Sequence, residues 1–222
     1  MTARPAIVLT GFGPFPGVPQ NATAMLIPRL ADEARARFTA YDVIGEILPT
    51  EWVAGPRRLT ELFTGVEPVL VLHFGVSQDA GGFQLELIGR NLRTALTDAV
   101  GELPATSEVI EGGPALLAST LQAERIIARL ARHGLPCCSS DNAGSFLCNT
   151  VLYHSLSVAH ALPKPPPVGF VHVPRRLLGH GPDGQAPFPD CPLDWQTALT
   201  GGLEIIAGCL EIAAESAPVR AS

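Results

Sequence analysis

The sequence predicts an α/β fold, a single-domain α/β/α sandwich with a mostly parallel, twisted central sheet. Short apolar segments alternate with longer segments whose apolar residues recur at helical spacing, as when helices cover both faces of a parallel sheet. The segment 68–76 contains the unbroken run Val-Leu-Val-Leu, typical of a strand buried on both faces. A chain of 222 residues suits one domain with a substantial core, so we assign 1–222 to a single domain.

The first half of the chain is predicted to hold four strands and two helices. Asn21 is of the type that caps a helix, and Pro56 marks a kink or a boundary in the second helix. The last strand of this half alternates apolar and polar residues, like a strand with one face in solvent. The predicted strands are 6–10, 41–48, 68–76 and 83–88, and the predicted helices are 22–38 and 50–63.

The second half begins with residues 92–113, which are rich in loop formers and predict no regular element. The segment 114–133 has a strong helical pattern, with apolar side chains on one side and Gly134 as its stop. The remaining predicted elements are a strand over 135–140, a helix from there through about 161, a strand over 168–173, a surface loop over 178–193 and a helix over 197–214.

The charge of the chain argues against nucleic-acid and membrane partners. Its formal net charge is −6, and lysine and arginine form no cluster that would attract phosphate groups. No run of about 18 apolar residues predicts a membrane span. We therefore expect neither nucleic acid nor a membrane as a partner.

The five cysteines, at positions 137, 138, 148, 191 and 209, are odd in number and lack CxxC spacing. This argues against a disulfide framework or a thiolate zinc site and favours a reducing compartment. The first residues lack the apolar stretch of a signal peptide, so a cytoplasmic location is predicted. The loop 11–17 does not form GxGxxG, and no metal or other cofactor is expected.

Cys148 lies near the start of a predicted helix, within the segment Ser-Asp-Asn-Ala-Gly-Ser-Phe-Leu-Cys-Asn-Thr over 140–150. Backbone N–H groups and the helix dipole favour a thiolate there, and the same groups can hold the oxyanion formed when a carbonyl is attacked. A lone cysteine in an apolar helix is more often a packed core residue. The pattern alone leaves both roles open.

Two further side chains are candidates for a site with Cys148. His172 ends an apolar strand, at the sheet edge where ligands bind in open α/β folds, although a structural histidine is the commoner case. Glu86 lies among apolar neighbours; it either turns to solvent, the commoner case, or is a buried carboxylate that orients an imidazole. His73, inside a strand, is expected to have a core role.

Three segments together resemble the signature of the pyroglutamyl peptidase I family, also called pyrrolidone carboxyl peptidases. Residues 10–15, Thr-Gly-Phe-Gly-Pro-Phe, with Asn21 shortly after, resemble the family's first strand and substrate loop. Residues 140–153 resemble its active-cysteine block, Ala-Gly-x-x-x-Cys-Asn followed by Tyr, and 169–174 resemble its active-histidine block. The similarity spans nearly the whole chain in the expected order.

The resemblance implies a cysteine exopeptidase that removes an N-terminal pyroglutamyl group through a Cys–His–Glu triad. Cys148 matches the family nucleophile, His172 its general base and Glu86 its acidic member. Phe12 and Phe15 match the aromatic residues that sandwich the flat pyrrolidone ring, and an apolar slot suits such a neutral lactam. The implied partner is a peptide or small amide with a blocked N-terminus. Family members often form dimers or tetramers, which implies a homo-oligomer.

The chain departs from the family pattern around the expected pocket. Leu87 and Leu96 stand where the family has arginines, the second implicated in the oxyanion region, so Arg90 or Arg93 is left as a substitute. The segment 178–193 resembles an insertion. Besides the pyroglutamyl peptidase, two hypotheses stay open: a thiol hydrolase of another small amide or blocked N-terminus, and a non-catalytic homologue that binds a small ligand.

Overall fold

Strands and helices alternate along most of the chain in the computed structural model, which describes residues 4–179 and 191–215. The strands are β1 (Ala6–Phe12), β2 (Asp42–Leu48), β3 (Leu70–Ser77), β4 (Phe83–Glu86), β5 (Ile88–Arg90), β6 (Leu116–Ala118), β7 (Cys137–Ser140) and β8 (Val168–Pro174). The helices are α1 (Ala22–Arg37), α2 (Ala54–Val66), α3 (Ala123–Arg132), α4 (Leu147–His160) and α5 (Trp195–Glu215), with a 3₁₀ turn over Arg175–Gly179.

The central sheet has the order β2-β1-β3-β8-β4-β7. Strands β2, β1, β3 and β8 run parallel, whereas β4 runs antiparallel to β8 and parallel to β7. Strands β5 and β6 form a separate antiparallel pair. The predicted α/β/α sandwich with a mostly parallel sheet is confirmed, and the strand direction reverses between β8 and β4.

Helices cover both faces of the sheet. Apolar side chains of α1, α3 and α5 pack in one buried cluster, and those of α2 and α4 pack in another on the opposite face. Successive strand residues alternate between the two, so that Val171 faces the first cluster and Phe170 the second. No helix in the described part of the chain has the length and apolarity to cross a membrane.

The helix starts follow local chemistry. The Asn21 side chain accepts a hydrogen bond from Thr23 N at 3.1 Å, which confirms the predicted N-cap of α1. Helix α2 begins at Ala54, later than predicted, so Pro56 lies in its first turn and marks the boundary. Proline is tolerated there because first-turn N–H groups have no partner inside the helix.

The predicted helix over 114–133 is wrong in its first half. Leu116–Ala118 is strand β6, and only Ala123–Arg132 is helical. Tertiary hydrogen bonds hold the segment extended: Ser119 N donates to Leu87 O at 2.7 Å, and Val168 N donates to Thr120 Oγ1 at 2.7 Å. Serine and threonine also compete with helical hydrogen bonds through their own side chains.

Two other predictions need comment. The strand predicted over 83–88 divides into β4 and β5, and β4 is buried rather than half exposed, since its sheet position lies between β8 and β7. The loop predicted over 178–193 lies largely outside the described residues.

Candidate active site

Cys148 is the second residue of α4 and is partly exposed. The N-cap position is Phe146, which makes no side-chain capping bond. The Asn142 side chain accepts instead from Gly144 N at 3.1 Å, so the polar pair at 141–142 shapes the preceding turn and does not cap the helix. N–H groups in the first turn of a helix have no intrahelical partner. Those near Cys148 are therefore able to donate hydrogen bonds to an oxyanion.

His172 lies on β8, on the sheet face covered by α4, and only 5% of it is exposed. Its Nδ1 is 2.7 Å from Glu86 Oε1. An ionised carboxylate can only accept, so Nδ1 carries the proton, and Nε2 is the ring nitrogen available to Cys148.

Glu86 is fully buried, so of the two alternatives left open by the sequence the solvent-facing one is excluded. Its neighbour Leu85 faces the opposite apolar cluster, which leaves Glu86 on the face of His172. Burial alone would raise the pKa of Glu86, but the hydrogen bond and charge of His172, with smaller contributions from Ser140 and Gln84, hold that pKa below its ordinary value of 4.5. The carboxyl group is therefore ionised at neutral pH.

The imidazole of His172 interacts with both Cys148 and Glu86. Burial lowers the pKa of His172, but the hydrogen bond and charge interaction with Cys148, followed by those with Glu86, raise it from 6.5 to about 9. The surroundings thus favour an imidazolium between two acidic groups. This arrangement suits a thiolate nucleophile with a proton donor beside it.

Gly75 leaves the space in which Cys148 and His172 meet, and sequence reasoning did not single it out. It lies on β3 in register with His172 on β8. A Cβ atom at this position would be 3.1 Å from Cys148 Sγ and 2.7 Å from Phe170 Cζ. Both contacts are closer than ordinary packing allows, so any larger side chain would displace the sulfur or the ring.

The two predicted substrate-binding phenylalanines contact different rings. Phe12 is 2% exposed, and its ring centre is 6.0 Å from that of Phe170, which packs 4.9 Å from the His172 ring. Phe15 is partly exposed and lies 5.6 Å from Phe146. The role of both in binding substrate stays a prediction, but their exposure differs.

Phe146 and Trp52 extend the aromatic surface beyond the residues selected from the sequence. Their ring centres are 4.9 Å apart in an edge-on arrangement. Phe146 precedes Cys148 by two residues, and this proximity in sequence was the available signal for it. Trp52 is far along the chain and gave no such signal.

The loop that carries Phe15 is tied to three other parts of the chain. Asn21 Nδ2 donates to Gly13 O at 3.2 Å, and Thr50 Oγ1 donates to the same oxygen at 3.1 Å. The Arg175 guanidinium donates to Gly17 O. These bonds hold the loop in place, and the ring contact between Phe15 and Phe146 places it beside the start of α4.

Asn149 ties the first turn of α4 to the segment after β5. Its Nδ2 donates to Arg90 O and Leu92 O, both at 2.8 Å, and its Oδ1 accepts from Arg90 N at 2.8 Å. The Arg90 side chain donates to Asp141 O at 3.0 Å. Arg93 lies over Trp52, with Cζ 5.9 Å from the ring centre. The two arginines named from the sequence therefore border the α4 start.

His73 is separate from this arrangement. It is fully buried, with Nδ1 2.7 Å from Thr10 Oγ1 and Nε2 2.8 Å from Ser155 Oγ. Burial lowers its pKa to about 3, so it is neutral. The predicted core location is confirmed. No group of three His, Cys, Asp or Glu side chains within the described ranges is arranged to hold a metal ion.

Comparison with known proteins gives a consistent result. The family model for pyroglutamyl peptidase matches residues 5–187. A pyrrolidone-carboxylate peptidase from Halalkalibacterium halodurans is 32% identical over 169 residues, which cover 76% of this chain and 83% of the relative. One from Oceanobacillus iheyensis is 28% identical and covers 92% of this chain and 98% of the relative.

Solved structures of the same kind share the fold. The crystal structure of pyrrolidone carboxyl peptidase from Thermus thermophilus superimposes with a TM-score of 0.75 at 27% identity, covering 90% of this chain and 98% of that one. A mutant pyrrolidone carboxyl peptidase from Pyrococcus furiosus gives a TM-score of 0.79 at 25% identity, covering 93% and 99%.

Proposed function

Because this chain belongs to the pyroglutamyl peptidase family of cysteine peptidases, we propose that it removes N-terminal pyroglutamyl groups from peptides, with Cys148, His172 and Glu86 as its catalytic triad. The observation that carries the proposal is the buried 2.7 Å contact between His172 Nδ1 and Glu86 Oε1, made by an imidazole whose pKa is raised by Cys148 as well as by Glu86. A histidine held between a carboxylate and a thiol is the arrangement that nucleophilic catalysis by cysteine needs.

At the start of the reaction, His172 Nε2 holds the proton of the Cys148 thiol, which leaves the sulfur as the thiolate nucleophile. The sulfur attacks the pyroglutamyl carbonyl carbon, and the new oxyanion binds to N–H groups of the first turn of α4. The oxyanion then collapses, the C–N bond breaks, and His172 gives its proton to the leaving amine. The products are the shortened peptide and a thioester on Cys148.

In the second half, a water molecule gives a proton to His172 Nε2 and attacks the thioester carbonyl. The C–S bond breaks, pyroglutamate leaves, and the Cys148 thiolate and His172 imidazolium are restored. Glu86 keeps its charge throughout, since its function is to hold Nδ1–H and stabilise the imidazolium.

The substrate's first residue is a neutral lactam with a flat ring, which suits an aromatic surface better than a charged amino group does. Phe15 and Phe146 provide such a surface beside Cys148. A peptide with a free amino terminus would place a charged ammonium group against these apolar rings, which disfavours it.

The decisive experiment compares chromogenic amides of pyroglutamate, proline and glutamate, with Cys148→Ser as the control. We expect hydrolysis of the pyroglutamyl amide alone and none by the variant. Preference for another amide, lost in Cys148→Ser, would assign the chain to a different thiol hydrolase. Binding of pyroglutamate without turnover of any amide would make it a non-catalytic homologue.

We also propose a cytoplasmic location, because all five cysteines are free thiols and thiols persist in a reducing compartment. The homo-oligomer implied by the resemblance stays a prediction. Size-exclusion chromatography with light scattering tests it directly.

A further inference from the structure

Gln84 contacts the acidic residue of the proposed triad. Strands β4 and β8 are antiparallel, and Gln84 is in register with His172. Glu86 lies two residues farther along β4, so all three side chains share one face of the sheet. The Gln84 Nε2 atom is 2.7 Å from Glu86 Oε1, the same oxygen that His172 Nδ1 contacts at 2.7 Å.

The chemistry of the carboxylate fixes the orientation of the Gln84 amide. An ionised carboxylate has no proton to donate, so the amide must present its NH₂ group to Oε1 and not its oxygen. Glu86 Oε1 thus receives two hydrogen bonds, whereas the buried Oε2 has no hydrogen-bond partner among the described residues. Ser140, in register with Glu86 on β7, also lowers the pKa of the carboxyl group, so Gln84 is the second donor to Oε1 and not the only polar neighbour of Glu86 besides His172.

We propose that Gln84 is a positioning residue for the hydrolysis: its amide holds the Glu86 carboxylate toward His172 and sets the pH range over which the thiol–imidazole pair is active. Gln84 acts through Glu86 and does not contact the thiol. The inference rests on the proposed triad and adds a fourth member to it.

The amide has two effects on the pair. It stabilises the ionised carboxylate, so without it Glu86 takes up a proton at higher pH and stops supporting the imidazolium sooner on acidification. The amide N–H of Gln84 also partly neutralises the negative charge on Glu86 Oε1. Without the amide, the carboxylate attracts the imidazolium more strongly, and His172 keeps its proton to higher pH. Both limbs of a bell-shaped pH profile should therefore move to higher pH when the donor is removed.

The test substitutes Gln84→Met, which keeps an unbranched side chain of similar length and removes the donor. Gln122→Met is the matched control, since Gln122 is exposed at the start of α3, away from the site. Two rates are measured against pH: kcat/KM for a pyroglutamyl amide and alkylation of Cys148 by iodoacetamide. In Gln84→Met we expect both limbs of the kcat/KM profile, and the single acid limb of the alkylation profile, to move to higher pH by on the order of half a pH unit. In Gln122→Met we expect all of them to stay in place.

A merely structural role for Gln84 would lower the melting temperature and leave both pH profiles where they are in the wild type; that result overturns the proposal. Gln84 is only partly buried, so the variant should fold. If Gln84→Met nevertheless fails to fold, Gln84→Ala introduces no new volume and decides the question by the same two profiles.

Alkylation needs no substrate, which separates this inference from the proposed activity. A shifted alkylation profile in a chain that hydrolyses no pyroglutamyl amide would refute the activity and support the role of Gln84. Normal hydrolysis with unshifted profiles would refute only the role of Gln84.

Discussion

The surroundings of Cys148 set it apart from the other thiols of the chain. Burial raises the pKa of Cys137 and of Cys209 to about 12, so both are protonated at neutral pH. Among the five cysteines, Cys148 is the one described as interacting with His172, an imidazole whose pKa is raised. We therefore expect the reactivity of each thiol in this chain to depend more on the neighbour of its sulfur than on the exposure of its sulfur.

His172→Ala is expected to lower kcat by about 10²–10⁴-fold, the usual loss of a general base. His73→Ala should mainly lower the free energy of unfolding, because it leaves Thr10 and Ser155 without their buried partner. Steady-state kinetics beside thermal melts of both variants make the measurement. Near-native kcat in His172→Ala would show that another group is the base.

The same histidine predicts an alkaline limit. Its folded-state pKa of about 9 lies above the ordinary 6.5, so the stabilisation from its ion pairs is fully present below pH 6.5 and is lost as pH rises through about 9. Activity that needs the imidazolium should decline over the upper part of that window.

Gly75→Ala should reduce turnover while leaving most of the fold intact. The added methyl group would be 2.7 Å from Phe170 Cζ and 3.1 Å from Cys148 Sγ, so the ring, which packs against His172, must shift and the sulfur must yield slightly. We expect a loss of about tenfold to a hundredfold in kcat, since small misplacements of reacting groups are costly. The rate of Cys148 alkylation should fall with it. Gly65→Ala is the control, because no atom lies within 4 Å of a Cβ there.

Phe15→Ala and Phe12→Ala should differ in kind. Phe15 is partly exposed, so its loss should raise KM by about tenfold to a hundredfold with little change in melting temperature. Phe12 is 2% exposed, so its loss should lower the free energy of unfolding by about 3–5 kcal/mol. Kinetics and thermal denaturation of each variant distinguish these effects. An unchanged KM in a stable Phe15→Ala would exclude that ring from the pocket.

At the scale of elements, the outer helices are joined by one buried carboxylate. Glu204 of α5 bonds to Arg37 of α1 at 2.7 Å and to Arg129 of α3 at 2.6 Å. Burial would raise its pKa, but the two guanidinium groups outweigh burial and hold the pKa below 4.5. This cluster links all three helices on that face of the sheet.

Glu204→Gln should therefore destabilise the protein by about 1–3 kcal/mol at neutral pH, because Arg37 loses its anionic partner and Arg129 keeps only the exposed Glu211. Because the folded-state pKa of Glu204 is lowered, its ionised carboxylate stabilises the folded protein above the ordinary pKa of 4.5. This stabilisation is lost as the pH falls through the lowered folded-state pKa, so the variant, which lacks it, should be less sensitive to acid. Denaturant unfolding at pH 7 and pH 4 measures both effects. Glu211→Gln, whose side chain is 57% exposed, is the control and should change little.

Elements with strong local patterns were predictable, and elements fixed by distant partners were not. The capped helix α1 and the apolar strand β3 follow from their own residues. Strand β6 does not, because its conformation depends on pairing with β5, remote in sequence. The same holds in the site: Cys148 and His172 lie in recognisable segments, whereas Gln84 acquires its place only through the register of two strands.

At the scale of the whole molecule, the reversal of strand direction between β8 and β4 brings His172 and Glu86 together. His172 lies on the last of the parallel strands, and Glu86 lies on the adjacent strand that runs the other way. Antiparallel pairing fixes which residues face each other, and a slip of one residue would turn Glu86 to the opposite face. The proposed chemistry thus depends on the exact pairing of β4 with β8.

That pairing also has a consequence in time. The contact between Glu86 and His172 joins residues 86 positions apart, and the Asn149 contact to Arg90 joins residues 59 apart. Contacts between distant residues form slowly because closing a long loop loses chain entropy before any bond is gained, whereas helices form within about a microsecond. After dilution from denaturant, the far-ultraviolet signal of the helices should recover first and fast alkylation of Cys148 later. Equal recovery times would mean that β4 is paired with β8 from the earliest compact state, and the nascent enzyme would then be active as soon as it is helical.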